Sequence, residues 1–282
     1  MTGFDLGRLL PWRRRRPVVA VLRLAGVIGS GSVGRGGLSL KSMAEPLARA
    51  FATRRVRAVA LAINSPGGAA VQSALIFRRI RAMAEEKKLP VYAFIEDVGA
   101  SGGYMLACAG DEIFADASSI VGSIGVVSAG FGFQDAMRRL GIERRIHAEG
   151  ERKGMLDPFQ AERPDDVARL KAIQKDAHAA FADLVRLRRG DRLKAGEDSL
   201  FDGGVVSGRQ AVALGLIDGL GDLRDVMRER FGDTVRFVQV ATEPRYPWPF
   251  SRLVAAPAGA DAMTASWIAA IEARAAWARY GL

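Results

Sequence analysis

A chain of 282 residues with 49% hydrophobic and 26% charged residues is long enough for one large globular domain with a substantial core. Its single cysteine, Cys108, excludes an intramolecular disulfide framework and a zinc site built from cysteines alone. Because Cys108 lies in the apolar stretch "YMLACAG", we expect it to be a small, buried, apolar side chain.

The net charge is +10, from 41 basic and 31 acidic residues. The basic residues are spread thinly, apart from one dense cluster at Arg13–Arg16. Without a zinc-finger, RNP or helix-turn-helix signature, the charge does not predict a nucleic-acid partner. Two interpretations of the cluster stay open: contact with an anionic membrane surface, or a solvated tail.

The sequence predicts no membrane span and no secretory signal. Two long uncharged stretches, 58–77 and 117–134, are interrupted by "NSPGG" and by glycines and serines, so neither resembles about 20 apolar residues in a row. The arginine cluster follows the short apolar patch instead of preceding it, unlike a signal peptide. We expect a cytoplasmic protein, or one attached peripherally to the inner membrane.

The first hundred residues alternate strand and helix. Apolar strands are predicted at 17–27, 56–63 and 89–95, with helices at 39–53 and 71–86 between them. The predicted buried face of the second helix consists of Val71, Leu75, Ile76, Ile80 and Met83. Strands that are apolar almost throughout are typical of a parallel sheet covered by helices, so the fold class is α/β.

The remaining elements are shorter, apart from one long helix. We predict strands at 112–114, 120–127 and 141–148, and helices at 133–140, 163–189 and 207–214, the longest with Pro164 in its first turn. We divide the chain into a basic tail with an apolar tip (1–16), a main domain (17–240) and an extension (241–282). The extension ends in a predicted amphipathic helix, 263–279, which packs on its own domain or contacts a membrane or another subunit.

Glycine-containing segments follow three of the strands, at 67–68, 99–103 and 122–125. Ligands of a parallel sheet collect at the carboxyl ends of its strands, so these segments are expected to meet in one crevice. Paired glycines expose backbone N–H groups, and two such donors aimed at one point form an oxyanion hole.

Ser101 stands between glycines in "VGASGGYMLA", either as a helix cap or as a nucleophile. A nucleophile needs a base, and neither histidine predicts a Ser-His-Asp triad. His178 lies within the long predicted helix, where we expect packing or solvation, and His147 has no Asp or Glu obviously placed to orient it. A lysine can serve instead if its pKa falls from about 10.4 to near 7–8. The stretch from Leu89 to Leu170 contains one lysine, Lys153, next to Arg152.

Four motifs occur in a family-like order: "INSPGG", "ASGGYMLACAGDEIFADASSIVGSIGVV", "RKGMLDPF" and "SGRQAVALGLIDGLG". Over residues 18–240 the chain resembles the signal peptide peptidase A (protease IV) family of serine proteases. The resemblance implies a crotonase/Clp-protease-like fold and a Ser–Lys dyad, with no metal and no cofactor. It makes Ser101 the nucleophile and Lys153 the general base, with Gly68 and Gly102 as the oxyanion hole and Ser123 orienting the lysine.

The resemblance also implies an assembly and a substrate class. Short members of the family form homo-oligomeric rings in which serine and lysine of one site come from neighbouring subunits. Their substrates are extended peptides, signal peptides among them, with small and apolar side chains. Most members carry an N-terminal transmembrane helix, whereas this sequence has "MTGFDLGRLLPWRRRR".

Two other functions stay open from the sequence. A crotonase-like acyl-CoA hydratase or isomerase would use the same oxyanion hole with carboxylates, for which Glu96 and Asp97 are the candidates nearest the central loop. A non-catalytic scaffold of the same fold, assembled at membranes, is the third interpretation.

Overall fold

The computed structural model describes residues 16–29, 37–194 and 196–242, together with 274–275, 277–278 and 280–281 near the C-terminus. Strands and helices alternate through most of this range. The strands are β1 Val18–Ala25, β2 Val56–Ser65, β3 Val91–Ala100, β4 Glu112–Ala115, β5 Ile120–Gly122, β6 Val205–Ser207, β7 Gly219–Leu220 and β8 Arg236–Val240. The helices are α1 Leu40–Phe51, α2 Ala70–Lys87, α3 Gly102–Ala107, α4 Gln134–Arg139, α5 Pro164–Arg189, α6 Glu197–Leu200, α7 Gly208–Leu214 and α8 Leu223–Phe231.

The eight strands form one sheet, which confirms the predicted α/β class. Its order is β6-β5-β3-β2-β1-β8, with β4 pairing β3 and β7 pairing β4. All these pairs are parallel except β5 with β6, so the carboxyl ends of β1, β2, β3 and β5 lie at one edge. This is the edge at which the glycine-containing segments were expected to meet.

Helices cover both faces of the sheet. The larger core contains Leu22, Leu61 and Ile63 from the strands, packed against apolar side chains of α1, α2, α3 and α5. The smaller core contains Val21 and Ala60 on the opposite face, packed against α8. Two buried faces explain why the strands are apolar almost throughout.

Cys108 belongs to the larger core, as predicted, and its side chain is fully buried. Burial raises the pKa of the Cys108 thiol to about 12, although nearby arginines oppose the shift. The thiol is therefore an apolar packing group.

The predicted face of α2 is correct at Ile76, Ile80 and Met83, which are buried, and wrong at Val71, which is 68% exposed. The first turn of α2 lies where a cleft opens at the sheet edge, so no core is available to bury Val71. The predicted strand at 141–148 is also wrong, because this segment pairs with no described strand and is exposed.

Two predicted regions fall outside the described residues: the tail, apart from Arg16, and most of the terminal helix 263–279. Pro164 is in the first turn of α5, as predicted. None of the helices in the described part of the chain is long and apolar enough to cross a membrane.

An ion pair between a buried arginine and a partly buried aspartate joins the C-terminal end of α5 to the turn after α7. Both terminal nitrogens of Arg189, which is 2% exposed, donate to Asp218, at 2.7 and 3.1 Å. The N–H of Ile113, on β4, also donates to Asp218, at 2.7 Å. Burial would raise the pKa of Asp218, but the hydrogen bonds and charge of Arg189 hold it below its ordinary value of 3.8.

We predict that Asp218→Asn lowers the free energy of unfolding by about 2–3 kcal/mol at neutral pH, because Arg189 is left buried without its carboxylate. Since the folded-state pKa is lowered, the carboxylate stabilises the fold above its ordinary pKa, and this contribution is lost as pH falls through the folded value. Urea denaturation of both proteins should give a difference that shrinks below about pH 4. Asp135→Asn, in an exposed ion pair, is the control and should change stability by less than about 0.5 kcal/mol.

Candidate active site

Ser101 occupies the turn between β3 and α3 in a backbone conformation that favours glycine, with φ +53° and ψ −123°. Two hydrogen bonds hold it there: its N–H donates to the carbonyl of Gly122 at 2.8 Å, and its carbonyl accepts from Met105 at 3.0 Å. Ser101 occupies the N-cap position of α3, but its side chain makes no capping hydrogen bond, so the hydroxyl is not used as a cap. A non-glycine residue held in this region is strained, and such strain clusters at functional sites.

The paired glycines after β2 provide the space that this turn requires. A Cβ on Gly67 would lie 2.7 Å from the Cβ of Ser101 and 2.8 Å from the nitrogen of Gly102. Gly68 has φ +141°, and its Cβ would lie 2.0 Å from the carbonyl oxygen of Ile28. Because Gly67 has no side chain, the β3–α3 turn can lie directly against it. In the same way, Gly68 allows the segment after β1, which contains Ile28, to lie against the turn after β2.

These segments enclose a cleft of about 670 Å³ at the carboxyl edge of the sheet, which we call the main cleft. Four predicted site residues line it together: Ser101, Gly68, Gly102 and Ser123. Asp202 is the one charged residue among the described lining residues. The other side chains that line the cleft are mostly small or apolar, and they include Val27, Ala69, Ala70, Met105, Val126, Val127, Ala177, Phe181 and Tyr280.

The backbone N–H groups of Gly68 and Gly102 have no hydrogen-bond acceptor among the described residues. Both N–H groups belong to residues that line the main cleft beside Ser101. Free N–H donors next to a hydroxyl are suited to stabilise an oxyanion formed when that hydroxyl attacks a carbonyl.

Ser123 also has a positive φ, +52°, which its residue type gave no reason to expect. Its N–H donates to the carbonyl of Gly204 at 2.6 Å. The next residue, Ile124, has a fully buried side chain, and its carbonyl lies 3.2 Å from Nε2 of His178. Because a carbonyl only accepts, Nε2 must carry the hydrogen.

His178 therefore holds the segment that carries Ser123 and, three and four residues further on, the cleft-lining Val126 and Val127. Sequence reasoning assigned His178 only to packing or solvation. Its neighbours on α5 contained a signal, since Ala177 and Phe181 lie at positions compatible with one helix face and both line the main cleft. His147 is exposed and makes no hydrogen bond with the described residues.

Lys153 does not line the main cleft. It is exposed and borders a separate shallow hollow with Gly150, Glu151 and Arg152, and its ammonium forms no ion pair with the described residues. The single chain thus brings together four of the five predicted site residues, and Lys153 is the exception.

Glu96 and Asp97 line a second cleft, of about 850 Å³, and not the main one. Glu96 accepts from Arg23 at 2.7 Å, and Asp97 accepts from the side-chain amide of Asn64 at 2.6 Å. Both carboxylates are therefore engaged away from Ser101.

A sheet with helices on both faces and a glycine-lined cleft at its carboxyl edge is an α/β architecture, and solved proteases with a similar structure show that it is the ClpP/crotonase-like fold. A solved structure of this fold, a lysine-to-alanine mutant of the membrane-bound stomatin-specific protease 1510-N in complex with a substrate peptide, matches with a TM-score of 0.52. It is 13% identical and covers 91% of this chain and 99% of its own. The sequence model of Peptidase family S49 matches residues 83–231, just over half of the chain. The chain belongs to this family of serine-type peptidases.

Two curated relatives match most of the chain. A protein of Brucella abortus named Na(+)/H(+) antiporter NhaA is 48% identical over 290 residues, covering 98% of this chain and 39% of the relative. A chloroplastic serine protease SPPA of Arabidopsis thaliana is 30% identical over 213 residues, covering 74% of this chain and 31% of the relative. The chain spans less than half the length of either relative.

We predict that Gly68→Ala lowers the free energy of unfolding by about 2 kcal/mol or more, since the added methyl collides with the Ile28 carbonyl at a φ unfavourable for alanine. The control is Gly154→Ala, because a Cβ there meets nothing within 4 Å and φ is not in the left-handed region. Thermal and urea unfolding would measure both variants. Equal stability of the two would contradict the proposed close approach.

Proposed function

We propose that this protein is a serine endopeptidase that hydrolyses extended peptides, with Ser101 as nucleophile and Lys153 of a neighbouring subunit as general base. The observation that carries the proposal is the strained Ser101, held beside the free N–H groups of Gly68 and Gly102 in an apolar cleft. Membership of a serine peptidase family supports the same chemistry.

The second subunit is inferred from residues 126–163, which we call the arm. It includes α4, which has no buried residue. Phe131 is 81% exposed and Leu140 73% exposed, and other large apolar side chains of the arm are also in contact with solvent. Further exposed examples are Val127, Phe133, Ile142, Ile146 and Phe159. Exposed apolar surface on this scale marks a protein contact, and a second copy of the chain fits the homo-oligomer that the family resemblance implies.

Lys153 lies on the arm, so an interface that covers the arm would also cover Lys153. Burial of an amine in an apolar interface favours its neutral form, which a general base requires. In a homo-oligomeric ring of the kind that the family resemblance implies, Lys153 would enter the main cleft of the next subunit. There the hydroxyl of Ser123 would orient it.

In the proposed reaction, Lys153 takes the proton of Ser101 as Oγ attacks the substrate carbonyl. The N–H groups of Gly68 and Gly102 stabilise the oxyanion, and loss of one such donor typically costs about 2.7–4 kcal/mol. The lysine then protonates the leaving amine, and water hydrolyses the acyl-enzyme by the same route.

The cleft lining supports substrates with small and apolar side chains, signal peptides among them. Met105, Val126 and Phe181 offer apolar contacts, and only Asp202 among the described lining residues is charged. One oxygen of Asp202 accepts from the N–H of Gly204 at 2.7 Å, so the carboxylate is already engaged by the backbone. The structural neighbour is in complex with a substrate peptide, which supports a peptide substrate but not a particular side-chain preference.

The hydratase or isomerase alternative has less support. It needs a carboxylate near the oxyanion hole, but Glu96 and Asp97 line the other cleft and are bound to Arg23 and Asn64. The one carboxylate among the described lining residues of the main cleft, Asp202, accepts a hydrogen bond from the backbone N–H of Gly204.

We predict that Ser101→Ala and Lys153→Ala each abolish cleavage of a small, apolar fluorogenic peptide, whereas co-expression of the two variants restores activity. If the dyad is formed between subunits, random assembly at equal amounts leaves about a quarter of the sites with an intact serine and an intact lysine. Lys171→Ala, an exposed lysine on α5, is the control and should retain full activity.

The outcomes separate the parts of the proposal. An inert wild type would refute the peptidase assignment, and activity of either single variant would refute the dyad. Two inert variants that do not complement each other would place serine and lysine in the same chain. A fluorophosphonate probe adds a check, since it should label wild type and Lys171→Ala but not Ser101→Ala.

We also predict that His178→Leu lowers kcat/KM by about 3- to 10-fold, because the Ile124 carbonyl loses its donor and the segment carrying Ser123 loosens. His178→Gln keeps an N–H donor and should remain within about twofold of wild type. Separate kcat and KM values, with melting temperatures as the stability control, would test this. Equal losses in both variants would contradict a positioning role.

A further inference from the structure

The amino edge of the sheet, opposite the main cleft, is basic. We define the basic edge as Arg16 with residues 52–57, 85–90 and 232–236, which are the loops before β2, β3 and β8 together with the adjoining ends of α2, β2 and β8. It contains seven basic residues against three acidic ones. The basic residues are Arg16, Arg54, Arg55, Arg57, Lys87, Lys88 and Arg236, all exposed.

Strand register brings these residues together. Val18 of β1 is opposite both Val56 of β2 and Arg236 of β8. Val59 of β2 is opposite Val91 of β3. Because adjacent strands lie about 4.8 Å apart, the loops before four neighbouring strands form a patch roughly 15–20 Å wide.

Most of these charges have no acidic partner. Within the part of the chain that the structure describes, Lys87 alone of the seven forms an ion pair, with Glu86 at 2.8 Å. The arm, by comparison, carries seven basic and six acidic residues, so its charge is nearly balanced. In the sequence, three more arginines, Arg13–Arg15, immediately precede Arg16.

The opposite edge has the other sign. The second cleft, at the carboxyl ends of the strands, is lined by four carboxylates and two arginines. These are Glu96, Asp97, Asp116 and Asp222, with Arg23 and Arg224. A negatively charged surface would therefore attract the basic edge and repel the edge that carries the clefts.

We propose that the basic edge docks on an anionic lipid bilayer. Each basic residue near an anionic leaflet strengthens binding by about 1 kcal/mol, a factor of roughly five, so six or seven of them suffice for peripheral attachment. Single-stranded nucleic acid is the less suitable polyanion, because the basic edge contains no aromatic residue on which a base could stack. This docking does not depend on the proposed peptidase activity.

In this orientation the main cleft opens away from the membrane. Peptides would reach Ser101 from the aqueous side, and the docked subunit would remain accessible to a second copy at the arm.

The test is sedimentation of the full chain with phosphatidylcholine vesicles that contain about 30% phosphatidylglycerol, compared with pure phosphatidylcholine. The edge variant combines Arg54→Glu, Arg57→Glu and Arg236→Glu. The matched control combines Arg169→Glu, Lys171→Glu and Lys175→Glu, which reverses the same number of exposed charges on α5. Circular dichroism checks that both variants are folded.

Wild type should bind the anionic vesicles, release them at about 0.5 M salt and ignore the neutral ones. The edge variant should lose at least about 100-fold in vesicle affinity, from three contributions of roughly fivefold each, while the control changes by less than about threefold. If the edge variant and the control lost the same vesicle affinity, binding would depend on the net charge of the protein and not on the basic edge, which would overturn the proposal. So would an edge variant that binds normally, or a wild type that binds a single-stranded oligonucleotide but not the vesicles.

Discussion

The packing of Gly67 against the Ser101 turn is the constraint on which the site depends. Ser101 can hold a positive φ only because the neighbouring turn has no side chain where the two backbones meet. The N–H of Ser101 is bound to Gly122, which fixes β3 beside β5 at the same point. Three chain segments are thus locked around one hydroxyl, and the local strain is balanced by hydrogen bonds that continue the sheet.

The packed core keeps the strands that lead to this turn in fixed positions. The strands that end at the cleft are buried on both faces, so their carboxyl ends cannot shift without disturbing the packing of α2, α3 or α8. The arm is not held by such packing, because it leaves the sheet after Ser123 and most of its residues are exposed. A rigid half-site and an exposed arm that carries Lys153 are the two parts that an intersubunit site requires.

The alternation of strands and helices could be predicted because the long strands are apolar almost throughout, whereas the helices have apolar residues at helical spacing. The end of β3 could not: Glu96 and Asp97 suggest a strand that stops at 95, yet β3 continues to Ala100. It continues because it exchanges β4 for β5 as its partner, while Arg23 and Asn64 bind the two carboxylates. Such compensation comes from residues distant in sequence, which local patterns do not contain.

The candidate site shows the same division. Glycine pairs after strands predicted the cleft, and motif resemblance selected Ser101 and Lys153. The positive φ of Ser123 had no local signal, because it depends on the 203–204 turn packing against the strand end. The spacing of Ala177 and Phe181 indicated one face of α5, but the hydrogen bond of His178 to Ile124 depends on a segment distant in sequence. Lys153 is separated from the main cleft because of where the arm lies. The exposed apolar residues of the arm are explained by contact with a second chain, which the sequence of one chain does not specify.

The two edges of the sheet can serve separate purposes because the strands keep them apart. A ten-residue strand such as β2 spans about 33 Å, whereas charges in physiological salt are screened over about 8 Å. Basic residues at the amino edge therefore have little electrostatic influence on a proton transfer at Ser101. Attachment to a surface and hydrolysis in the main cleft can then be tuned by different residues of the same strands. Charge changes at the amino edge are therefore expected to alter binding to an anionic surface without altering how Ser101 is activated.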